Sequence, residues 1–396
     1  MKYVILTNIL TPYRRFFYDE LYKMSQQFQD EFHVILMAET ESNRNWKYDD
    51  YKTAYTELLK SKTITISNIF IHINLGLKSV LLKYKPDLVI CAGSYIYPSV
   101  WRAIQLSKKL NYRVFLWSES HLEEAREYGR IKMLIRETIR KMVLSKFDGF
   151  WFAGNLAKKF DLVYCSESSH FIFVPNLIDS KKFSSVNEYT SQEREQLRSK
   201  YNIPLDKRVF LLPARLSKVK GIIEFLDIFK DVRNRENVII VIAGDGELEV
   251  EINRYINENC LGVVLLGYKP EKEMLDLYAI ADLLLMPSLS DPNPLTIIEA
   301  CWCKLPLLVS EHVGNYPETV INGQNGYVFS YQDKENAIKI IEECINNDCE
   351  WYYSAGQKSF EIANSIYNPE TAIPRLVEES RAYIEKNMDN HKRDKR

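Results

Sequence analysis

The sequence lacks several things, and each absence narrows its function. Its seven cysteines form an odd, scattered set without the short paired spacings of a zinc site or a disulfide framework, a usage suited to a reducing cytoplasm. Neither sign of charge dominates: 52 Lys and Arg stand against 53 Asp and Glu, so the overall field calls for no polyanionic partner and nucleic acid is not expected. No segment approaches the roughly 20 consecutive apolar residues of a membrane-spanning helix. The opening MKYVILTNILTPYRRFF is too short in its apolar part for a secretory signal and reads as a first buried strand. There is no internal repeat, no low-complexity tract and no full dinucleotide glycine fingerprint. No Asp-x-Asp pair occurs, so a metal bridging a diphosphate is not implied and the metal site is expected to be none. A cytoplasmic protein follows, soluble or resting on the inner face of the cytoplasmic membrane.

What is present is enough apolar material, 46% of 396 residues, for two hydrophobic cores. Short β-branched runs alternate with longer segments of helical period, the pattern of parallel sheets with crossover helices. One series of strands is expected at 3–9, 32–38, 63–66, 88–92, 113–118, 149–153 and 171–174. A second is expected at 209–213, 238–243, 263–266, 283–287, 307–310 and 327–329. The fold class is therefore α/β, with two Rossmann-like domains facing a central cleft. Residues 1–175 form the first domain, the polar stretch 176–207 a linker, and 208–370 the second domain. Residues 371–396 form a C-terminal helix and a tail frayed from Asn387. Ligands of open parallel sheets bind beyond the carboxyl ends of the strands, so the loops there carry the candidate chemistry.

The segment SLSDPNPLTIIEACWCKLPLLVS (288–310) pairs Asn293 as N-cap with Pro294 at the first helical position, leaving the amides of Leu295 and Thr296 free to bind phosphate. Asp291 precedes that turn and Glu299 follows it. Two carboxylates bracketing an anion site suit the hydroxyls of a sugar or ribose beside a phosphate. The bland reading makes Asp291 a capping acid and Glu299 a solvated helix residue. In PARLSKVKGIIEFL (213–226), Arg215 and Lys220 follow a strand and together can neutralise a diphosphate, unless they are simply a solvated basic loop. Gly244 and Gly246 in IAGDGELEVEI allow close backbone approach or serve only their turn. Tyr268 after Gly267 is a nucleobase contact or a packing residue.

Taken in order, these loops resemble the donor domain of family 4 retaining glycosyltransferases of the GT-B fold, the glycosyl transferases group 1. That family is marked by a pair of glutamates separated by seven residues and preceded by an Arg and a Lys on the first strand-to-helix loop. The resemblance spans roughly 174–330 and includes PNLIDSKKF at 175–183. It implies that Arg215 and Lys220 bind the donor diphosphate and stabilise the leaving group, and that Glu299 holds the ribose hydroxyls. Asp291 would contact the donor sugar, and the amides near Leu295 and Thr296 phosphate and sugar. This chain departs from the pattern in having Asp291 where the family has Glu, Pro294 close to the place of a Gly, and TNILTPYRRFF where the family has a glycine-rich loop. The TPYR form resembles a bacterial polysaccharide-assembly subgroup, which implies that Asn8, Thr11, Tyr13 and Arg14 lie on the acceptor side.

In LWSESHLEEAREYGR (116–130), Glu119 and His121 follow a strand and are catalytic or acceptor contacts, or caps of the next helix. Residues 130–146 combine Arg130, Lys132, Arg136, Arg140, Lys141 and Lys146 with Ile131, Leu134, Ile135, Ile139, Met142 and Val143. That helix is either a peripheral contact for anionic lipid or a core helix with a solvated basic face. The expected activity is retaining transfer of a hexose from a UDP- or GDP-sugar, the substrate rather than a cofactor. The receiver is a hydroxyl of a glycan or polyprenyl-linked saccharide in cell-surface polysaccharide or lipopolysaccharide synthesis. A sugar-nucleotide epimerase and a non-catalytic partner subunit of the same fold are the rivals.

Overall fold

A computed structural model describes residues 1–41, 52–66, 69–122 and 130–393, with the side chains of 12–13, 66, 69, 130–132 and 388–393 outside the description. The chain divides into two units. The first is Met1–Ser120, Glu127–Asn176 and Pro369–Arg396; the second is His121–Arg126 and Leu177–Asn368.

The first unit holds β1 (Lys2–Thr7), β2 (Glu31–Leu36), β3 (Thr56–Leu58), β4 (Ser61–Ile66), β5 (Ile69–Asn74), β6 (Leu88–Ala92), β7 (Arg113–Ser118), β8 (Gly149–Phe152) and β9 (His170–Phe173). Seven of them form one parallel sheet in the order β3-β2-β1-β6-β7-β8-β9. The strands are apolar along their length because crossover helices cover both faces of such a sheet. Val4, Leu6, Val89, Val114 and Phe150 accordingly sit in one buried cluster with Val100, Ala103 and Leu106 of the helix Pro98–Leu110. The run expected as a sheet strand at 63–66 instead pairs antiparallel with β5 in a separate hairpin. Residues 61–65 are all exposed, which suits a hairpin standing off the sheet rather than a strand buried on both faces. The sheet's outer position is taken by the three-residue β3, too short to show as a periodic run.

The second unit holds β10 (Arg208–Pro213), β11 (Val238–Ala243), β12 (Val263–Leu265), β13 (Leu283–Met286), β14 (Leu307–Ser310) and β15 (Gly326–Phe329). They pair in parallel in the order β12-β11-β10-β13-β14-β15. The order reverses between β10 and β13, and the loops after those two strands flank the crevice where such sheets bind ligands.

The stretch 176–207, expected as a linker, is folded onto the second unit from Leu177 onward. Its helix Ser191–Lys200 starts on a capping box of Thr190 and Glu193. Arg198 then bonds the Asp282 carboxylate at 2.8 Å, and the same carboxylate accepts from the Val209 amide at 2.7 Å. The C-terminal helix Pro369–Arg393 belongs to the first unit: Arg381 donates to the fully buried Asp30 carboxylate at 2.8 Å, and Tyr383 packs edge-on against Phe115. Its backbone is helical through Asn387 to Arg393, beyond the point where fraying was expected. Among the described residues no helix is long and apolar enough to cross a membrane.

Candidate functional site

In the second unit, the loops after β10, β11, β12 and β13 are stitched together by backbone bonds. Leu216 N–H donates to Asp245 O at 2.7 Å, Leu248 N–H to Leu216 O at 3.1 Å, and Gly244 N–H to Gly267 O at 2.9 Å. Gly244 and Gly246 are what permit this. A Cβ on Gly244 would stand 1.9 Å from Ala214 O, and one on Gly246 2.4 Å from Leu216 O. These glycines therefore seat the neighbouring Arg215 loop, which is a structural duty distinct from approach to a ligand. Arg215 itself is 66% exposed, 3.7 Å from the equally open Glu247. An exposed pair like this is weakly held, and Arg215 is free to swing onto an anion. Tyr268 is also exposed, following Gly267 in the left-handed conformation.

Lys220 ends a short 3₁₀ turn, and its Nζ lies 2.5 Å from Asp291 Oδ2. Both side chains are mostly buried, so a cation and an acid from the two sides of the strand-order reversal face each other directly. Asp291 is fixed through its backbone: its N–H donates to His312 O, and its carbonyl accepts from Gly314 N–H at 2.7 Å. The following helix starts at Leu295 with Pro294 as N-cap, one residue later than expected from Asn293. Pro294 is extended (ψ 132°) and ends on the Asn315 Nδ2 donor at 3.0 Å, which holds it outside the helix. Pro294 has no side-chain group with which to cap that N-terminus, and the Leu295 and Thr296 amides stand at the positive end of the helix.

Glu299 lies one turn further on. Burial pushes its carboxyl up to about 6, and the Tyr278 hydroxyl, donating to Oε2 at 2.6 Å, works in the opposite direction. Tyr278 is buried on the helix Glu271–Ile280 and gave no signal in the sequence, where it reads as one more apolar position. His121 is 3% exposed and groups with this second unit, its ring against Gly314: Cδ2 would be 3.1 Å from a Cβ there.

The first unit gathers Arg14 and Glu119. Arg14 donates to Asn176 Oδ1 at 3.1 Å and pairs with Glu119, while Asn176 Nδ2 donates to Glu119 Oε1 at 3.0 Å. The guanidinium lies 3.9 Å over the Trp117 ring. Asn176, read from the sequence only as part of PNLIDSKKF, is thus a member of this cluster. Asn8 is drawn elsewhere, donating to Glu41 at 2.8 Å in a chain with the buried His72. Thr11 is buried ahead of the helix Pro12–Gln27 and makes no side-chain cap. The side chain of Tyr13 is outside the described residues.

Residues 193–359 match the family model described as glycosyl transferases group 1. Over 176 residues the chain is 27% identical to the alpha-monoglucosyldiacylglycerol synthase of Acholeplasma laidlawii, covering 44% of each. Over 210 residues it is 25% identical to the lipopolysaccharide 1,2-N-acetylglucosaminetransferase of Salmonella typhimurium, covering 50% of this chain and 54% of that protein. The chain spans about half the length of these curated relatives. Over nearly its whole length it superposes on solved structures: sucrose-phosphate synthase from Thermosynechococcus elongatus (TM-score 0.73, 16% identity, 98% of this chain and 100% of that one) and Anabaena HepE in complex with UDP-glucose (TM-score 0.69, 16% identity, 96% and 100%). The fold is the α/β GT-B type with two Rossmann-like sheets, and the group 1 glycosyltransferase match, 193–359, contains Arg215, Lys220, Asp291 and Glu299.

Proposed function

We propose that this chain is a family 4 retaining glycosyltransferase that moves a hexose from a UDP- or GDP-sugar to a hydroxyl of a glycan or lipid-linked saccharide. The observation that carries the reading is the Lys220–Asp291 pair beside the helix N-terminus at Leu295. When a diphosphate arrives, Lys220 exchanges Asp291 for phosphate oxygens, Arg215 swings in, and the Leu295 and Thr296 amides complete the anion site. Asp291, released, accepts a hydroxyl of the donor sugar, and Glu299 accepts the ribose hydroxyls. Charge that develops on the departing diphosphate is met by groups already in place, which is the effective form of electrostatic catalysis, and the proposal includes metal independence. Retention requires the acceptor hydroxyl to attack from the face the diphosphate leaves. The test is turnover of UDP- and GDP-hexoses with the anomer of the product read by NMR. Activity retained in Arg215→Ala, Lys220→Ala and Glu299→Ala alike would sink the assignment, and conversion of free donor without acceptor would replace it by an epimerase.

Glu299 gives this reading a pH signature. Only the ionised carboxylate accepts at both oxygens with its full charge, so UDP affinity is expected to fall as pH drops through about 6, by at most about tenfold per pH unit below that. The Tyr278 bond favours the ionised form, so Tyr278→Phe is expected to move the fall to higher pH. Titration calorimetry with UDP between pH 5 and 8 reads both, and a flat profile in the parent would remove Glu299 from the donor site.

The relatives act on lipid and lipopolysaccharide acceptors by their names, and the proposal extends to work at the cytoplasmic membrane in cell-surface polysaccharide synthesis. The helix Arg130–Leu144 supports it with exposed Met133, Leu134, Ile135 and Met142 near exposed Lys141 and Lys146. Arg140 is an exception to the basic face expected here. It is 7% exposed, bonded to Glu137 and the Tyr95 hydroxyl and stacked on Phe160, because its position on the helix turns it inward. Arg130, Ile131 and Lys132 have side chains outside the described residues. Retention of the protein on phosphatidylglycerol vesicles, lost in Leu134→Glu/Ile135→Glu, is the expected result in a flotation assay.

A further inference from the structure

A groove of about 510 Å³ lies in the first unit at the amino end of β9, the far end of the sheet from the loops described above. β9 is the terminal strand of that sheet, paired on one side only, by β8. The C-terminal helix runs alongside it: Arg375 stands 5.6 Å over the Phe173 ring, and two turns later Tyr383 stacks on His170 at 4.8 Å. That stretch of helix advances about 12 Å while the strand steps back about 10 Å, so the two are antiparallel neighbours. His170 and Phe171 line the strand side of the groove; Glu379, Ala382, Tyr383 and Lys386 line the helix side.

Glu379, Ala382 and Lys386 are exposed, and their spacing of three and four residues makes them one stripe along the helix. Neither the Glu379 carboxylate nor the Lys386 ammonium makes an ion pair with another described residue. Burial lowers the His170 imidazole between them, so at pH 7 it is neutral and balances neither charge. Two turns of helix separate the charges, about 10 Å along the axis. A second helix with the same stripe matches this one in one direction. Laid parallel and in register, it brings Glu379 to Glu379. Laid antiparallel about a two-fold axis between positions 382 and 383, it brings each Glu379 to the partner's Lys386. Ala382, beside that axis, is the smallest side chain of the stripe and lets the helices approach to roughly 8–10 Å.

Exposed ion pairs contribute little affinity, so the charges set the register and apolar surface must supply the binding. Such surface flanks the groove. Lys158 Nζ lies 5.9 Å over the Phe171 ring, which turns that side of the helix Asn155–Tyr164 toward the sheet's edge. Leu162, one turn on, is 54% exposed, with Val163 beside it at 56%.

We propose that this edge of the first unit is the contact between two copies of the chain, a two-fold dimer in which the C-terminal helices lie antiparallel, each Glu379 faces the partner's Lys386, and each helix closes the other copy's groove. The stripe is its own complement, which is what a closed, isologous contact requires and what an unrelated partner has no reason to match. Dimer formation needs neither donor nor acceptor, so it stands or falls apart from the transferase reading.

Sedimentation velocity of the full chain over a concentration series reads the state directly, and the parent is expected to pass from monomer to dimer in the micromolar range. Glu379→Lys and Lys386→Glu each set like charges face to face at both ends of the stripe, and each is expected to weaken association at least about tenfold at low salt. Both positions are exposed, so far-UV circular dichroism and melting at monomeric concentrations are expected to match the parent's. An equimolar mixture of the two variants sets lysines opposite glutamates and is expected to regain parental affinity as a heterodimer. The double variant Glu379→Lys/Lys386→Glu is expected to do the same as a homodimer, whereas Ala382→Arg, with both charges intact, is expected to stay monomeric. A parent that is monomeric at its solubility limit, single variants that associate as the parent does, or swapped pairs that remain apart would each overturn the proposal.

Discussion

Lys220→Ala is expected to lower kcat/KM by about 10²- to 10³-fold, the scale seen when one preorganised electrostatic group is removed from a charge-developing centre. Two effects add. The diphosphate loses a cation, and Asp291, now without its partner 2.5 Å away, presents an uncompensated carboxylate to the same anion. The second effect can be isolated. In Lys220→Ala/Asp291→Asn the repulsion is gone, so UDP affinity is expected to recover by about tenfold over the single variant, a coupling of roughly 1.4 kcal/mol, while turnover stays low because the leaving group still lacks its cation. Calorimetry with UDP and steady-state rates with the UDP-sugar together separate the two. A single variant within about threefold of the parent, judged against the 10²-fold scale, would show that Lys220 does not serve the reacting diphosphate.

The other large effect is expected from Gly314→Ala. A Cβ at that position would stand 1.7 Å from Pro292 O, a backbone atom that cannot rotate out of the way. The segment around it is pinned: Gly314 N–H donates to Asp291 O, Val313 bridges Asp291, and the fully buried Asn315 donates to Pro294 O. Relief of the clash therefore displaces the loop that carries Asp291 and delivers the helix N-terminus at Leu295. The cost is expected to be about 3 kcal/mol, read as a melting transition of the second unit lowered by about 6–12 °C, together with weaker UDP binding. A melt within about 2 °C of the parent's, less than the shift of 1 kcal/mol in a unit this size, would mean that the 291–294 loop yields without penalty.

Which parts of this were legible beforehand follows from how far apart the causes lie in the chain. The runs VFLLP, VIIVIA and LLLM could hardly be anything but strands of a doubly covered parallel sheet, since helices on both faces require apolar side chains at every position. The hairpin β4–β5 was half missed because its Thr/Ile alternation fits any half-buried strand, and pairing partners are not encoded in a period of two. Arg215, Lys220 and Asp291 could be picked out as candidates because each follows a strand, and Glu299 because it lies one turn into the helix that comes next, all local relations. Gly244 and Gly246 were legible as glycines with a purpose, but the carbonyls they make room for belong to Ala214 and Leu216, about 30 positions earlier in the sequence.

Asp161 shows the limit most directly. In NLAKKFDLVY the aspartate follows lysines two and three positions earlier, yet it is fully buried. Tyr278 beside Glu299 and Asn176 between Arg14 and Glu119 are of the same kind. By itself, then, the sequence determined most of the strands of the two parallel sheets, the α/β class and the inventory of charged residues at strand ends, because propensity and hydrophobic period act over a few neighbours. The tertiary structure alone decided that Lys220 meets Asp291 across 71 residues and that Arg14 spends its charge on Glu119. Those contacts arise from the order in which strands pair, and strand order is set by the packing of whole helices against whole sheets.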